Sequence, residues 1–461
     1  MRSTLRTRRP HTRNRTARAA AAVVAGAMAL TLTACGGDDN DDGGNEGGET
    51  ENAASVQLPK LNGQKLEVAA VWTGPEQDNF TKVLDEFEKR TGAEVSYVPT
   101  GNNTSTFLGT KIQGGEPPSV AFLPQVGVLH QFAEKGWVKP VSTEVQGQLD
   151  KNFSKGWQDL GAYEGKQYGV YAKAANKSLI WYNTAAYDAA GITAEPKTWD
   201  EFVQTAQTLS DAGSPAVSVA GQDGWTLTDW FENIYLSQAG PEKYDQLAQH
   251  KIKWTDPSVK EALTTLAELW GKDELIAGGR AGALRTEFPK SVTNTFSGDT
   301  PAAMVFEADF VAANINADTK AKIGTDAKVF PFPAVGDESP VVSGGDVAVA
   351  LKDDKGSQAL LTFLASTDAA EIWAAQGGFI SPNKEMDLKT YKDDVAQDIA
   401  KALLDAGDDF RFDMSDQAPA AFGGTQGQGE WKALQDFLKT PSDVEGAQRA
   451  LETAAAKAYE G

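Results

Sequence analysis

The sequence predicts an α/β protein built as two domains, and three observations carry that reading. From residue 64 onward, strand and helix signals alternate, the rhythm of a parallel sheet covered on both faces. Roughly four hundred residues follow that point, more than one hydrophobic core usually serves. A second strand–helix series then begins near residue 168 with its own start and stop signals.

The elements follow in order. The run 66–72, Leu-Glu-Val-Ala-Ala-Val-Trp, reads as a strand. Phe80, Val83, Leu84 and Phe87 then repeat at i, i+3, i+4, i+7, one buried face of a helix that Gly92 can stop. A strand at 95–98, an amphipathic stretch at 104–113, a strand at 119–123 and a helix carrying Val128, Leu129 and Phe132 come next. In the second series 178–182 reads as a strand. Thr198 followed by Glu201 forms a capping box ahead of a helix that buries Phe202, Ala206 and Leu209. Strands at 217–220 and 303–306 flank mostly helical sequence over 228–290. No repeat of solenoid length occurs.

The N-terminus predicts export. Seven arginines and no acidic residue precede the short apolar run 19–32, and Leu32-Thr33-Ala34-Cys35 closes it. A positive region, a short apolar region and small residues before a cleavage point make a secretory signal, here predicted over 1–34. Cys35 is the single cysteine of the chain, so no internal disulfide forms. The linker 35–63 begins with Gly, Asp, Asn and Glu, which cannot bury enough surface to offset ordering, and reads as an acidic tether. Asp38, Asn40, Asp42, Gly43 and Glu49 match a calcium-loop pattern but lack flanking helices, so no metal site is predicted.

Charge and composition exclude several classes. Removing the seven arginines of 1–34 takes the net charge from −21 to −28, against nucleic-acid binding. No later segment reaches eighteen apolar residues. His130 and His250 are the only histidines beyond 34, and no nucleophile elbow, zinc motif or phosphate loop occurs. The expectation is a protein with no cofactor, no metal and no catalytic residues.

Read together, several segments resemble a known family. They are Leu32 to Cys35, Phe122-Leu123-Pro124-Gln125, the run from Ser178 to Asn183, Thr198-Trp199-Asp200-Glu201, the run from Gly224 to Trp230, Ala303-Met304-Val305-Phe306 and the run from Gly377 to Asn383. The chain resembles extracellular solute-binding proteins of bacterial carbohydrate ABC importers, the group that includes maltose-binding proteins, over about 64–461. The tail from Phe410 to Asp416 is similar to α-glucoside-binding members. The resemblance implies a lipoprotein whose Cys35 carries the lipid anchor (palmitate among its acyl groups) on the outer face of the cytoplasmic membrane. It also implies an ABC permease as partner, a carbohydrate ligand and a monomer. The implied fold is the two-lobed, type II periplasmic-binding-protein-like α/β fold, with a ligand cleft and several hinge crossings. Lobe 1 is expected over 64–174 plus 300–342 and lobe 2 over 175–299 plus 343–461, with crossings near 172–178, 297–302 and 341–343.

A sugar offers C–H faces and a rim of hydroxyls, so its site needs aromatic planes and fork-shaped polar groups. Trp72, Trp225, Trp230 and Trp373 are the expected planes, and Trp181, Trp199, Trp254 and Trp270 the expected core tryptophans. Gln125, Asp229, Glu307 and Asp346 fall at predicted strand ends or crossings, beside Gly345, and Arg411 and Asp413 are late contributors. Asp229 has a second reading as a helix cap, and Asp346 as a loop end. Two further functions use the same ingredients: an exported glycoside hydrolase, with paired carboxylates, and a binding protein for a peptide or polyamine.

Overall fold

The computed structural model describes residues 55–298, 301–336, 338–339, 341–406 and 410–460. The predicted signal, Cys35, the calcium-like loop and most of the tether lie outside the described residues. Among the described residues, no helix is long and apolar enough to cross a membrane.

Among the described residues, twelve strands form in chain order: β1 (Lys65–Ala70), β2 (Glu94–Pro99), β3 (Val120–Leu123), the β4–β5 hairpin (Ala162–Tyr163, Lys166–Gln167), β6 (Gly169–Asn176), β7 (Leu179–Asn183), β8 (Val217–Ser218), β9 (Met304–Phe306), β10 (Ala327–Pro331), β11 (Val342–Ala350) and β12 (Arg411–Phe412). The first sheet runs β12–β11–β3–β1–β2, with β6 also on β11; the second runs β10–β7–β9–β8. Each sheet has its own core, one around Val68, Phe80, Phe122 and Leu360, the other around Phe202, Trp230, Leu263 and Leu434. Two sheets with two cores make two lobes.

The local signals hold where they rest on packing. Helix Pro75–Thr91 buries Phe80, Val83, Leu84 and Phe87, and Gly92 ends it at φ 73°, a left-handed turn glycine adopts without strain. Thr198 Oγ1 accepts from Glu201 N at 3.3 Å and Glu201 Oε2 accepts from Thr198 N at 3.3 Å. That capping box opens helix Trp199–Asp211, whose buried Phe202 and Leu209 are worth about 1.5–3 kcal/mol each.

The lobe boundaries differ from the expectation. β9 lies in the expected first-lobe segment 300–342, yet it pairs with β7 and β8 in the second sheet. β11 lies in the expected second-lobe segment 343–461, yet it pairs with β3 and β6 in the first sheet. Its residues are buried throughout, as in a strand covered on both faces, and such a run fits the middle of either sheet. Pairing partners more than 160 residues away decide which one. The chain passes between sheets after Asn176 and again between β10 and β11. No such change falls at 297–302: β8 before it and β9 after it pair with each other in the second sheet.

Candidate functional site

A cavity of about 280 Å³ lies where the carboxyl ends of β1, β2 and β3 meet the second lobe. Ligands of open α/β sheets bind beyond those strand ends because the loops there carry side chains the sheet itself has no room for. Val71 to Glu76 follow β1, Gly101 and Asn102 follow β2, and Pro124 and Gln125 follow β3. β6 and β11 add Lys173, Gly345 and Asp346 from the first lobe. Lys177, Asp223, Trp225, Glu287, Phe288, Asp416 and Trp431 complete the wall from beyond the first crossing.

Five predicted residues therefore line the cavity: Trp72, Gln125, Trp225, Gly345 and Asp346. Trp72 Nε1 donates to Asp346 Oδ2 at 3.3 Å, and the Lys173 ammonium sits 5.2 Å from its ring. Lys173 Nζ also lies 2.7 Å from Glu76 Oε1 and 3.6 Å from Asp346 Oδ2. Gly345 is required by that neighbourhood, since a Cβ there would stand 2.6 Å from the Lys173 carbonyl oxygen.

The other six stand elsewhere. Trp230 is in the second core against Phe306 at 4.5 Å, because five residues at about 100° each put it about 140° round the helix from Trp225. Trp373 stacks on Phe379 at 4.5 Å and meets Trp72 edge-on at 4.9 Å, so it holds a cavity residue without lining the cavity. Arg411 pairs with Asp245 at 2.9 Å, away from the lining. Asp229, Glu307 and Asp413 are buried behind Lys177.

Lys177 organises that buried layer. Its ammonium bonds to Asp413 Oδ2 and lies 3.2 Å from Asp229 Oδ1 and 3.5 Å from Asp416 Oδ2. Asp413 Oδ1 accepts from Asp416 N and Ser415 Oγ, both at 2.8 Å, which caps helix Met414–Gln417. Burial pushes the Asp413 carboxyl up, but the Lys177 charge and these hydrogen bonds outweigh it and hold it at about 2. Burial, opposed by Lys177, pushes the Asp229 carboxyl well above its ordinary value. Burial and then Asp229 push Glu307 up likewise; neither of its oxygens has a donor among the described residues. Burial also raises Glu232 and Glu430. Asp229, Glu232 and Asp413 bring oxygens within 4.8 Å of one another, yet the cation among them is Lys177.

Sequence reasoning missed the two lysines, Asp223, Asp416 and Trp431. A signal existed for the first two: Lys173 and Lys177 are the sole charged residues in the otherwise apolar or neutral run 169–182. The lobes also touch directly here, since Asn102 Nδ2 donates to Asp223 Oδ1 at 3.0 Å, while Phe288 N, from the same side as Asp223, donates to its Oδ2 at 2.6 Å. Burial, partly offset by the Phe288 amide, pushes Asp223 up to about 6. Gly224, at φ 84°, starts helix Trp225–Ala239, and a Cβ there would lie 2.8 Å from Trp431 Cβ. The absent side chain lets Trp225 and Trp431 share one wall.

Comparison with known proteins places the chain. The description "bacterial extracellular solute-binding protein" matches residues 73–371. The osmoprotective compounds-binding protein GgtB of Synechocystis sp. is 32% identical over 397 residues, 83% of this chain and 92% of that protein. The alpha-glucosides-binding periplasmic protein AglE of Rhizobium meliloti is 30% identical over 411 residues, 85% and 88% of the two chains. Among solved structures, the bacterial solute receptor AcbH, described as exclusive for β-D-galactopyranose, superposes with a TM-score of 0.74 at 19% identity, over 87% of this chain and 99% of its own. That likeness shows the fold to be the two-lobed, type II binding-protein fold. The matched span, more than half the chain, and the relatives aligned along most of their length agree: this chain belongs to the bacterial extracellular solute-binding protein family.

Proposed function

We propose that the chain is the substrate-binding lipoprotein of an ABC importer, capturing a sugar, an oligosaccharide or α-glucoside, between its lobes and delivering it to a membrane permease. One observation carries this reading. Aromatic side chains from both lobes (Trp72, Trp225, Phe288, Phe310, Trp431) line the cavity together with fork-shaped acceptors. Stacking on a sugar face adds about 0.5–1.5 kcal/mol per ring, and carboxylates or amides accept from adjacent hydroxyls. The name of AglE, an alpha-glucosides-binding protein, points to the same ligand class. A ligand touching both lobes stabilises the closed arrangement, which is the form a permease would receive.

The reading is of binding without turnover. The cavity carboxyls are engaged: Glu76 and Asp346 by Lys173, Asp416 by Lys177, Asp223 by Asn102 and the Phe288 amide, and Glu287 by Gln222 at 2.9 Å. One chain completes the cavity, which supports a monomer. A calorimetric panel of mono- to tetrasaccharides tests the ligand class; silence across it overturns the assignment. Hydrolysis products from maltose, trehalose or sucrose would overturn the absence of catalysis. Cys35 is proposed as the lipid anchor holding the domain near its permease at raised effective concentration. Cys35→Ser should leave sugar affinity unchanged and release the protein from membranes; a membrane-bound variant rejects the anchor.

A further inference from the structure

We infer that the cavity admits solutes without negative charge and excludes sugar acids and sugar phosphates. The inference rests on the sugar-binding reading and adds a charge selectivity that the lining residues set.

Five carboxyl groups (Glu76, Asp223, Glu287, Asp346, Asp416) and two lysines line the cavity, and among the described residues no other charged side chain does. An anionic ligand needs a cation with an open position, and neither lysine offers one. Lys173 is 3% exposed, and its ammonium lies against Glu76 at 2.7 Å and Asp346 at 3.6 Å. Lys177 is bonded to Asp413, with Asp229 at 3.2 Å and Asp416 at 3.5 Å. A phosphate or carboxylate would have to displace one of these carboxylates, and all but Glu76 would be left in a dry wall, where an uncompensated charge is costly.

The second device that attracts anions is a helix N-terminus, through its unpaired amides. Several helices begin at the cavity, among them those starting at Trp225 and at Phe288, and at the second the first amide is already taken by Asp223 Oδ2 at 2.6 Å. The protein thus supplies its own anion there. Neutral hydroxyls meet no such barrier. They donate to Glu76, Asp346 or Asp416, and the Asn314 amide oxygen, buried and without a donor among the described residues, offers one more acceptor. Lys173 and Lys177 hold Glu76, Asp346 and Asp416 in place while contributing no net attraction for anions.

Calorimetry on the full chain with matched pairs tests this: glucose and glucose 6-phosphate, trehalose and trehalose 6-phosphate, maltose and maltobionate, each at 20 and 500 mM NaCl. The neutral member of a pair should bind, with its anionic partner at least about 100-fold weaker, since like-charge juxtaposition costs several kcal/mol. High salt should narrow that gap several-fold, because screening weakens it. Glu287→Gln should narrow it as well, by about 3–10-fold in the anionic-to-neutral ratio. Equal affinities within a pair overturn the charge selectivity and leave the sugar reading standing. A gap indifferent to both salt and Glu287→Gln overturns its electrostatic cause. Tighter binding of the anionic members overturns both readings, and silence of every neutral member removes the sugar reading and this inference with it.

Discussion

Lys173 and Lys177 stand four residues apart across the first interlobe crossing, both face the cavity, and their surroundings differ in a telling way. Lys173 has Glu76 and Asp346 for partners and aromatic rings of Trp72 and Phe310 on its flanks. Glu76 is 17% exposed in its side chain, so water reaches that pair. Lys177 faces Asp229, Asp413 and Asp416, with Glu307, Glu232 and Glu430 buried around them. One ammonium cannot balance six carboxylates in a dry interior, so burial pushes five of them upward while Asp413, bonded to Lys177, is held low. The first centre is a tuned binding edge. The second is a structural keystone whose upper face is exposed to ligand.

Truncating each lysine breaks the comparison most directly. Lys177→Met leaves Asp413 a buried anion without its cation, and removing one partner of a buried pair costs about 3–5 kcal/mol. Lys173→Met should cost about 1–2 kcal/mol of stability, because Glu76 can turn to water, and should act mainly on sugar affinity. Urea unfolding of both variants reads the difference; equal losses would erase the distinction.

The shifted carboxyls give a pH signature of smaller size. Asp309, buried near Lys173 and accepting from Asn176 N at 2.9 Å, is pushed up to about 7 by burial, with the Lys173 charge opposing. Its unfolded value is about 3.9. The folded state thus binds the proton more tightly, and the associated stability is full below about pH 4 and lost as pH rises toward about 7. Asp413, held at about 2, works in reverse: its contribution is present above about pH 4 and lost as pH falls toward about 2. The melting temperature should fall from pH 5 to pH 8, and Asp309→Asn, which keeps the acceptor for Asn176, should flatten that fall. An unchanged slope in the variant would acquit Asp309.

Sequence reading reached the first kind of environment far better than the second. Trp72 and Gln125 were legible as cavity residues because they follow strands of a parallel sheet, a rule that needs only local pattern, whereas Asp346 lies mid-strand in β11. The Lys177 centre is assembled from positions 177, 229, 307, 413 and 416, and no local periodicity links them. Asp229 and Asp413 were picked out as ligand contacts when their task is to hold the lysine that faces the cavity. The same nonlocality moved β9 and β11 between lobes. Hydrophobic runs specify that a strand is buried; they do not specify in which sheet.

The contact between Asn102 and Asp223 sharpens the comparison from the rim, where the lobes meet without a lysine. Asn102→Ala removes one part-buried hydrogen bond of about 0.5–1.5 kcal/mol between the lobes. Sugar affinity should drop about 3–10-fold while the unfolding free energy changes by less than about 0.5 kcal/mol. Small-angle scattering should show a larger radius of gyration at subsaturating sugar. Unchanged affinity would mean that closure does not depend on this bond.

The smallest effect is expected two residues before Asp413, and it tests how sharply the buried layer ends. Arg411 and Asp413 share one short segment, but β12 stops at Phe412 and the chain turns into the helix that Asp413 caps. Asp413 thereby points into the Lys177 centre. Arg411 reaches Asp245 at 2.9 Å with side chains 25% and 46% exposed, in reach of water and salt. Pairs of that kind contribute about 0–1 kcal/mol. Arg411→Ala should therefore cost no more than about 1 kcal/mol in urea unfolding and leave sugar affinity within about twofold. A larger affinity loss would put Arg411 on the ligand's path and extend the binding wall beyond Asp416. An effect confined to stability would fix the edge of that wall at the turn after Phe412, where the fold changes a surface ion pair into a buried one within two residues.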